Sequence, residues 1–181
     1  MKVLMLTGSP HPQGTTALLA DEFMGGAKEA GHEVVRFNTA ELDIHPCLGC
    51  SHCRNNEGRC VYEDDMNQIF PHLLAADVVV LVTPLYYFGM TAQLKRVIDR
   101  YFSVNPILRS KPKQLYLLAA CGDKEEWAME ALVLHYRSIC RYLQWREAGM
   151  LLAIGAYTRK DAENTSYPLR ARKLGAGLHT L

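Results

Sequence analysis

The sequence predicts an α/β fold in three layers, with five parallel strands in one open sheet and helices on both faces. Three observations carry this reading. Short apolar runs alternate with stretches of helical periodicity along the whole chain. The run Val78-Val79-Val80-Leu81-Val82 has no polar alternation, as expected of a strand buried on both faces of a parallel sheet. Turn-forming residues such as Gly8, Pro10, Pro12 and Gly14 follow an apolar run, where a strand-to-helix loop is needed.

The elements follow in order. Residues 3–6 form a first strand, and residues 8–14 a turn-rich loop. A helix begins near Thr15, with Leu19, Phe23 and Ala27 four apart, and stops at Gly31. Residues 34–37 read as a second strand, placed at an edge by Arg36. Asp64 and Asp65 stand where a helix dipole favours carboxylates, with Ile69 and Leu73 as that helix's apolar face. Residues 77–83 form the third strand, and Leu94, Val97, Ile98, Tyr101 and Phe102 mark the helix after it. Residues 115–120 and 151–154 supply the last two strands, separated by a long helix over residues 125–142. The tail is polar from Tyr157 and ends in a helix-like stretch over residues 169–178.

At 181 residues the chain is expected to form one domain, 1–181, large enough for a substantial core. A five-stranded sheet of this kind in 2-1-3-4-5 order has its strand order reverse between strands 1 and 3, and ligands bind at such a reversal. The loops over residues 8–16 and 84–89 are therefore the ones to inspect. A net charge of +1 gives no electrostatic case for nucleic acid. No apolar run approaches the roughly 18 residues a membrane span needs, and residues 1–6 are too short for a signal peptide. Six cysteines without a secretion signal favour reduced thiols or metal ligands. A cytoplasmic location is expected.

Three segments carry chemistry. The first loop, Thr7-Gly8-Ser9-Pro10-His11-Pro12-Gln13-Gly14-Thr15-Thr16, matches neither the Walker pattern nor G-x-G-x-x-G. It offers the hydroxyls of Ser9, Thr15 and Thr16 and a run of backbone N–H groups ahead of a helix, a setting suited to a phosphate dianion. An ordinary turn with an N-cap is the plainer alternative. The loop after the third strand contains Tyr86, Tyr87 and Phe88 in succession. Consecutive aromatics are costly to expose unless they cover a planar ring, a neighbouring subunit or the next helix. The third segment, residues 44–65, holds Cys47, Cys50, Cys53 and Cys60. Four thiols at gaps of two, two and six residues suit an iron–sulfur cube or structural zinc. A redox dithiol through Cys47 and Cys50, or free thiols on an interface loop, also fits. His45 and His52 read as solvated loop residues, Cys140 as a small core residue, and Lys95, Asp99 and Arg100 as structural ion-pairing groups.

Gly8-Ser9-Pro10 with Gly14-Thr15-Thr16, the run Pro46-Cys47-x-Gly49-Cys50-x2-Cys53 with Gly58-x-Cys60 and Asp64-Asp65-Met66, and Pro84-x-Tyr86 with Gly89, Gln93-Leu94-Lys95 and Asp99-Arg100 resemble the NAD(P)H-dependent FMN reductase family of flavodoxin-like proteins. The iron–sulfur flavoprotein branch is the closest in pattern. The resemblance covers residues 1 to about 102 and implies a flavodoxin-like fold. It implies that Ser9, Thr15 and Thr16, in a loop with His11, Gln13 and Gly14, bind the phosphate of FMN. Pro84, Leu85, Tyr86, Tyr87, Phe88 and Gly89 would meet the isoalloxazine ring, with a further contact from Cys121, Gly122 and Asp123. His11 stands where the family often has arginine, so this loop brings no permanent charge to the phosphate. The resemblance also implies a [4Fe–4S] cluster on Cys47, Cys50, Cys53 and Cys60.

The function expected is that of a flavoenzyme taking hydride from NAD(P)H and passing electrons to a small-molecule or protein acceptor. Without a second nucleotide-binding unit, the pyridine nucleotide would leave before the acceptor arrives. No Ser-His-Asp or Cys-His catalytic set is present in the pattern. The alternatives are an iron–sulfur flavoprotein electron carrier and, more remotely, a zinc-stabilised binding module. The resemblance implies a homodimer or homotetramer.

Overall fold

A computed structural model describes residues 1–179. Its sheet contains β1 (Lys2–Thr7), β2 (Glu33–Asn38), β3 (Val78–Pro84), β4 (Gln114–Ala120) and β5 (Arg146–Ala153) in the order β2-β1-β3-β4-β5. Every neighbouring pair is parallel, so the expected flavodoxin-like topology is the one found. The helices are α1 (Thr15–Glu29), α2 (Met66–Ala75), α3 (Ala92–Arg100), α4 (Asn105–Ser110), α5 (Glu130–Leu143), α6 (Arg159–Glu163) and α7 (Tyr167–Ala176). None of them is long and apolar enough to cross a membrane.

Strand side chains alternate between two apolar layers. Leu4, Leu6, Val79, Leu81, Leu115 and Leu117 face Ile69 and Leu73 of α2, Leu94 and Val97 of α3, and Leu132 and Tyr136 of α5. Val3, Met5, Val78, Val80, Val82 and Leu118 face Leu19 and Phe23 of α1 and Ala171 of α7. Val78 through Val82 are at most 1% exposed, which is why this strand needs no polar alternation. Helix α7 lies against α1 through glycines. An added Cβ at Gly26 would fall 2.1 Å from the Arg172 carbonyl oxygen, and one at Gly175 would fall 2.0 Å from that of Phe23.

Several elements depart from the sequence reading. The helix expected to run through Phe102 ends at Arg100, gives a 3₁₀ turn over Tyr101–Val104 and restarts as α4, with Pro106 in its first turn. The long helix expected from residue 125 begins with another 3₁₀ turn, Glu126–Met129, before α5. Strand β5 starts at Arg146, earlier than its apolar run. Its first half is an edge carrying exposed Arg146 and Glu147, with a register shift opposite Leu115 and Tyr116. Trp145, which had no assigned role, donates its indole N–H to the Leu108 carbonyl at 2.8 Å and anchors α4.

Lys113 is 1% exposed, and its ammonium donates to the carbonyls of Leu74 and Ala76 at the end of α2. Burial, with help from nearby Lys111, lowers its pKa from 10.5 to about 8 against the opposing pull of Asp77. Between those two pH values the unfolded chain holds a proton that the folded chain has released. This residue's contribution to stability therefore rises with pH across that window. Urea unfolding of wild type and Lys113→Met, below pH 8 and again between 8 and 10.5, should show the wild type gaining on the variant at the higher pH. Parallel profiles would exclude the shift.

Candidate functional site

Because the strands are parallel, the loops after β1, β3, β4 and β5 leave one edge of the sheet together. After β1, the Gly8 N–H donates to the Val82 carbonyl at 2.8 Å, and the Gly8 carbonyl accepts from Thr91 Oγ1 at 2.8 Å. An added Cβ on Gly8 would lie 2.5 Å from Thr91 Oγ1 and 2.7 Å from Leu94 Cβ, so only glycine lets the chain leave the sheet this close to α3. Ser9 Oγ then accepts the His11 N–H at 3.0 Å, and the Gly14 N–H closes on the His11 carbonyl at 3.1 Å. The turn delivers Gly14 as the N-cap of α1 with no side-chain cap and no acidic residue in the first turn. Those first-turn N–H groups have no intrahelical acceptor, and Thr15 and Thr16 beside them are 7% and 3% exposed.

On the opposite wall, the Leu85 N–H bonds the Ala120 carbonyl at 2.8 Å. Tyr86 and Gly89 then exchange two backbone hydrogen bonds of 3.1 Å across Tyr87 and Phe88. Tyr87 and Phe88 have φ of 46° and 62°, a left-handed pair normally reserved for Asn and Gly in such tight turns. Bulky residues there are strained, and strain of this kind collects at functional sites. Phe88 stacks on Trp127 at 5.3 Å, while Tyr87 is fully exposed. The remaining walls are Ala120 at the end of β4 with Cys121 and Gly122 after it, and Ala156, Tyr157, Thr158 and Arg159 after β5. Burial pushes the Cys121 thiol above its ordinary pKa, although the backbone of Gly155 and Asp123 pulls the other way.

These walls enclose a cleft of about 350 Å³. Of the residues singled out from sequence, Ser9, His11, Gly14, Thr15, Thr16, Pro84, Leu85, Tyr86, Cys121 and Gly122 line it. Gln13, Tyr87, Phe88, Gly89 and Asp123 do not. Gln13 is exposed on the outside of the first loop, and the turn carries Tyr87 and Phe88 away from the cleft. Asp123 spends its carbonyl on the Gly155 N–H and its carboxylate on the Glu125 N–H. Tyr157, Thr158 and Arg159 join from a loop that sequence reading had left as a polar tail. Thr158 and Asp161 form a reciprocal capping box at the start of α6, a Thr-x-x-Asp signal that was visible in the chain.

The second cluster lies in the loop between β2 and α2. Cys47, Cys50, Cys53 and Cys60 all border one narrow cleft with Tyr62, Arg100 and Phe102, and none of them is paired in a disulfide. The loop turns through four positive-φ residues, Gly49, Ser51, Glu57 and Gly58, which is how so short a segment brings its thiols together. Behind it lies the end of α3, where Lys95, Asp99 and Arg100 are expected as structural ion-pairing groups. Lys95 and Asp99 do form an exposed pair at 2.6 Å. Arg100 instead is 1% exposed and bonds Asp64 through two nitrogens, at 2.6 and 3.1 Å. Burial alone would raise the Asp64 pKa, but Arg100 and the N–H groups of His45 and Met66 hold it below the carboxylate norm. His45 reaches Asp64 at 3.5 Å and stacks on Tyr62 at 4.4 Å, so it is a half-packed neighbour of the pair. Among the described residues, no three His, Cys, Asp or Glu side chains are placed to hold a single metal ion.

Over residues 1–158 the sequence matches the family of NADPH-dependent FMN reductases. The chain belongs to that family. Two iron–sulfur flavoproteins of Methanocaldococcus jannaschii are similar to it, at 39% identity over 100 residues and 36% over 129. Those stretches cover 55% and 68% of this chain but 51% and 63% of the relatives, so this FMN reductase family member spans only part of their length. An azoreductase of Bacillus anthracis shares the fold, with a TM-score of 0.75 and 19% identity over 98% of this chain and 100% of that one.

The family match takes in the loops after all five strands and stops one residue short of Arg159. Within this FMN reductase fold the tightest backbone constraint next to the cleft is Gly8. Gly8→Ala should lower unfolding free energy by about 1–3 kcal/mol, read by urea denaturation. An unchanged midpoint would mean that Thr91 and α3 yield freely.

Proposed function

We propose that the chain is an FMN-dependent NAD(P)H oxidoreductase built as one domain. The observation that carries this reading is the uncapped first turn of α1, flanked by the buried hydroxyls of Thr15 and Thr16 on the wall of a cleft of about 350 Å³. FMN, when bound, supplies the hydride and electron chemistry. The protein's residues place it. Ser9, Thr15, Thr16 and the α1 N–H groups bind the phosphate dianion, where the helix dipole adds its attraction. Arg159 supplies the fixed positive charge that His11 does not. Pro84, Leu85 and Tyr86 flank the ring from one side and Cys121 and Gly122 from the other. With no second nucleotide unit among the described residues, NAD(P)H visits the cleft and leaves before the small-molecule or protein acceptor enters.

Fluorescence titration should show FMN quenched on binding. The loaded protein should oxidise NADH or NADPH with parallel double-reciprocal plots. Absence of binding, or intersecting plots, would overturn the respective claim. Arg159 is half-exposed and also pairs with Glu163 at 2.8 Å, so Arg159→Ala should weaken FMN about fivefold and flatten the salt dependence of binding.

A second reading gives the chain a [4Fe–4S] cluster on Cys47, Cys50, Cys53 and Cys60, making it an iron–sulfur flavoprotein electron carrier. It is supported by four unpaired thiols on one cleft and by a buried nitrogen of Arg100, which borders that cleft: its Nε has no acceptor among the described residues. Zinc would need its sulfurs about 2.3 Å from one centre, whereas a cube spreads its thiolates over four irons. Cys53→Ser should lose iron and sulfide after anaerobic reconstitution yet keep FMN. Loss of both through unfolding would make the loop a structural element. Unpaired cysteines also favour a reducing, cytoplasmic setting, and the apolar groove between α3 and α5 favours a homodimer or homotetramer.

A further inference from the structure

We propose that Arg100 sets the reduction potential of the centre on the cysteine loop, its buried charge favouring the form that carries the extra electron. This rests on the cluster reading above and concerns a residue outside the cysteine motif.

The geometry is that of a fixed, one-sided charge. Arg100 ends α3 and lies on the floor of the cleft that Cys47, Cys50, Cys53 and Cys60 border. Its Nη1 donates to Asp64 and to the His45 carbonyl at 2.9 Å, and its Nη2 donates to Asp64. With its two terminal nitrogens engaged, the guanidinium cannot turn. Its Nε–H is buried without an acceptor among the described residues. A buried donor left unsatisfied is costly, and a thiolate or sulfide within its reach would satisfy it.

The charge also has a direction. Arg100 borders the cleft together with Cys47, Cys50, Cys53 and Cys60, whereas its partner Asp64 is not among the residues that line it. The ion pair therefore turns its positive end to the thiols. A structural staple needs only the pairing with Asp64. The orphaned Nε–H and the orientation of the pair are what a staple leaves unexplained. Hydrogen bonds and charge beside the sulfurs are the levers by which proteins tune such centres.

The test is a dithionite titration, followed by electron paramagnetic resonance, of protein reconstituted anaerobically with iron and sulfide. Arg100→Met combined with Asp64→Asn removes both charges together and avoids a lone buried carboxylate. Arg100→Lys keeps the charge and loses the Nε–H. With iron, sulfide and FMN contents equal to wild type, the neutral pair should be harder to reduce by about tenfold in the reduced-to-oxidised ratio, or about 60 mV for one electron. Arg100→Lys should shift less, in the same direction, and carries the test alone should the neutral pair fail to fold. Equal potentials in iron-loaded variants and wild type would reduce Arg100 to a staple and leave the cluster standing. A wild type that takes up no iron would remove the cluster reading and this proposal together, leaving the flavin assignment untouched.

Discussion

Parallel pairing across the whole sheet is the constraint from which the rest of the molecule follows. Each strand can return to the same end only through a helix, so the helices cover both faces and every strand-to-helix loop is released at one edge. Segments as distant as Ser9, Pro84, Cys121 and Arg159 meet there, although no local signal links them. The same geometry aims the N-terminus of α1 at that edge with its first turn uncapped by any side chain. An anion at that point would complete a hydrogen-bonding pattern the fold leaves open.

The Arg100–Asp64 pair plays the corresponding part for the cysteine loop. Asp64 accepts the N–H groups of His45 and Met66, and Arg100 donates to the His45 carbonyl, so both ends of the loop are tied to one buried ion pair. Removing a single partner would strand a buried charge, a loss of about 3–5 kcal/mol. Surface pairs such as Arg159–Glu163 contribute far less. The four cysteines, two exposed and two half-buried, thus sit on a base much more rigid than their own accessibility implies.

What could be read from the sequence was whatever a single element declares by itself. Val78 to Val82 announced a central strand because burial on both faces removes the need for alternation. The Gly8-to-Thr16 loop announced a turn running into a helix, which is what the structure has, and left open whether that turn cradles an anion or only caps α1. Arg146 to Ala148 announced nothing, since the first half of an edge strand carries polar side chains and a register shift. Arg100 was misread in environment, because spacing of four residues describes a helix surface and cannot show that the helix end is roofed by a loop from elsewhere. Tyr87 and Phe88 were expected against a ring, a neighbouring subunit or the next helix. Their aromatic character was legible, but the left-handed turn that leaves Tyr87 exposed and Phe88 on Trp127 arises from pairing between Tyr86 and Gly89.

Helix α3 joins the two regions. At its start, Thr91 caps the helix by accepting the Leu94 N–H while its hydroxyl donates to the Gly8 carbonyl at the exit of β1. At its end, Arg100 holds the cysteine loop. Nine helical residues rise about 13 Å, and Leu94 and Val97 are wholly buried against the sheet, so the element cannot tilt without opening the core. A rigid rod therefore fixes how far the base of the cysteine cleft stands from the first loop of the larger cleft. Were the two clefts to hold centres that exchange electrons, those centres would need a constant separation of this kind, and a single packed helix provides it more dependably than the loops that line the clefts.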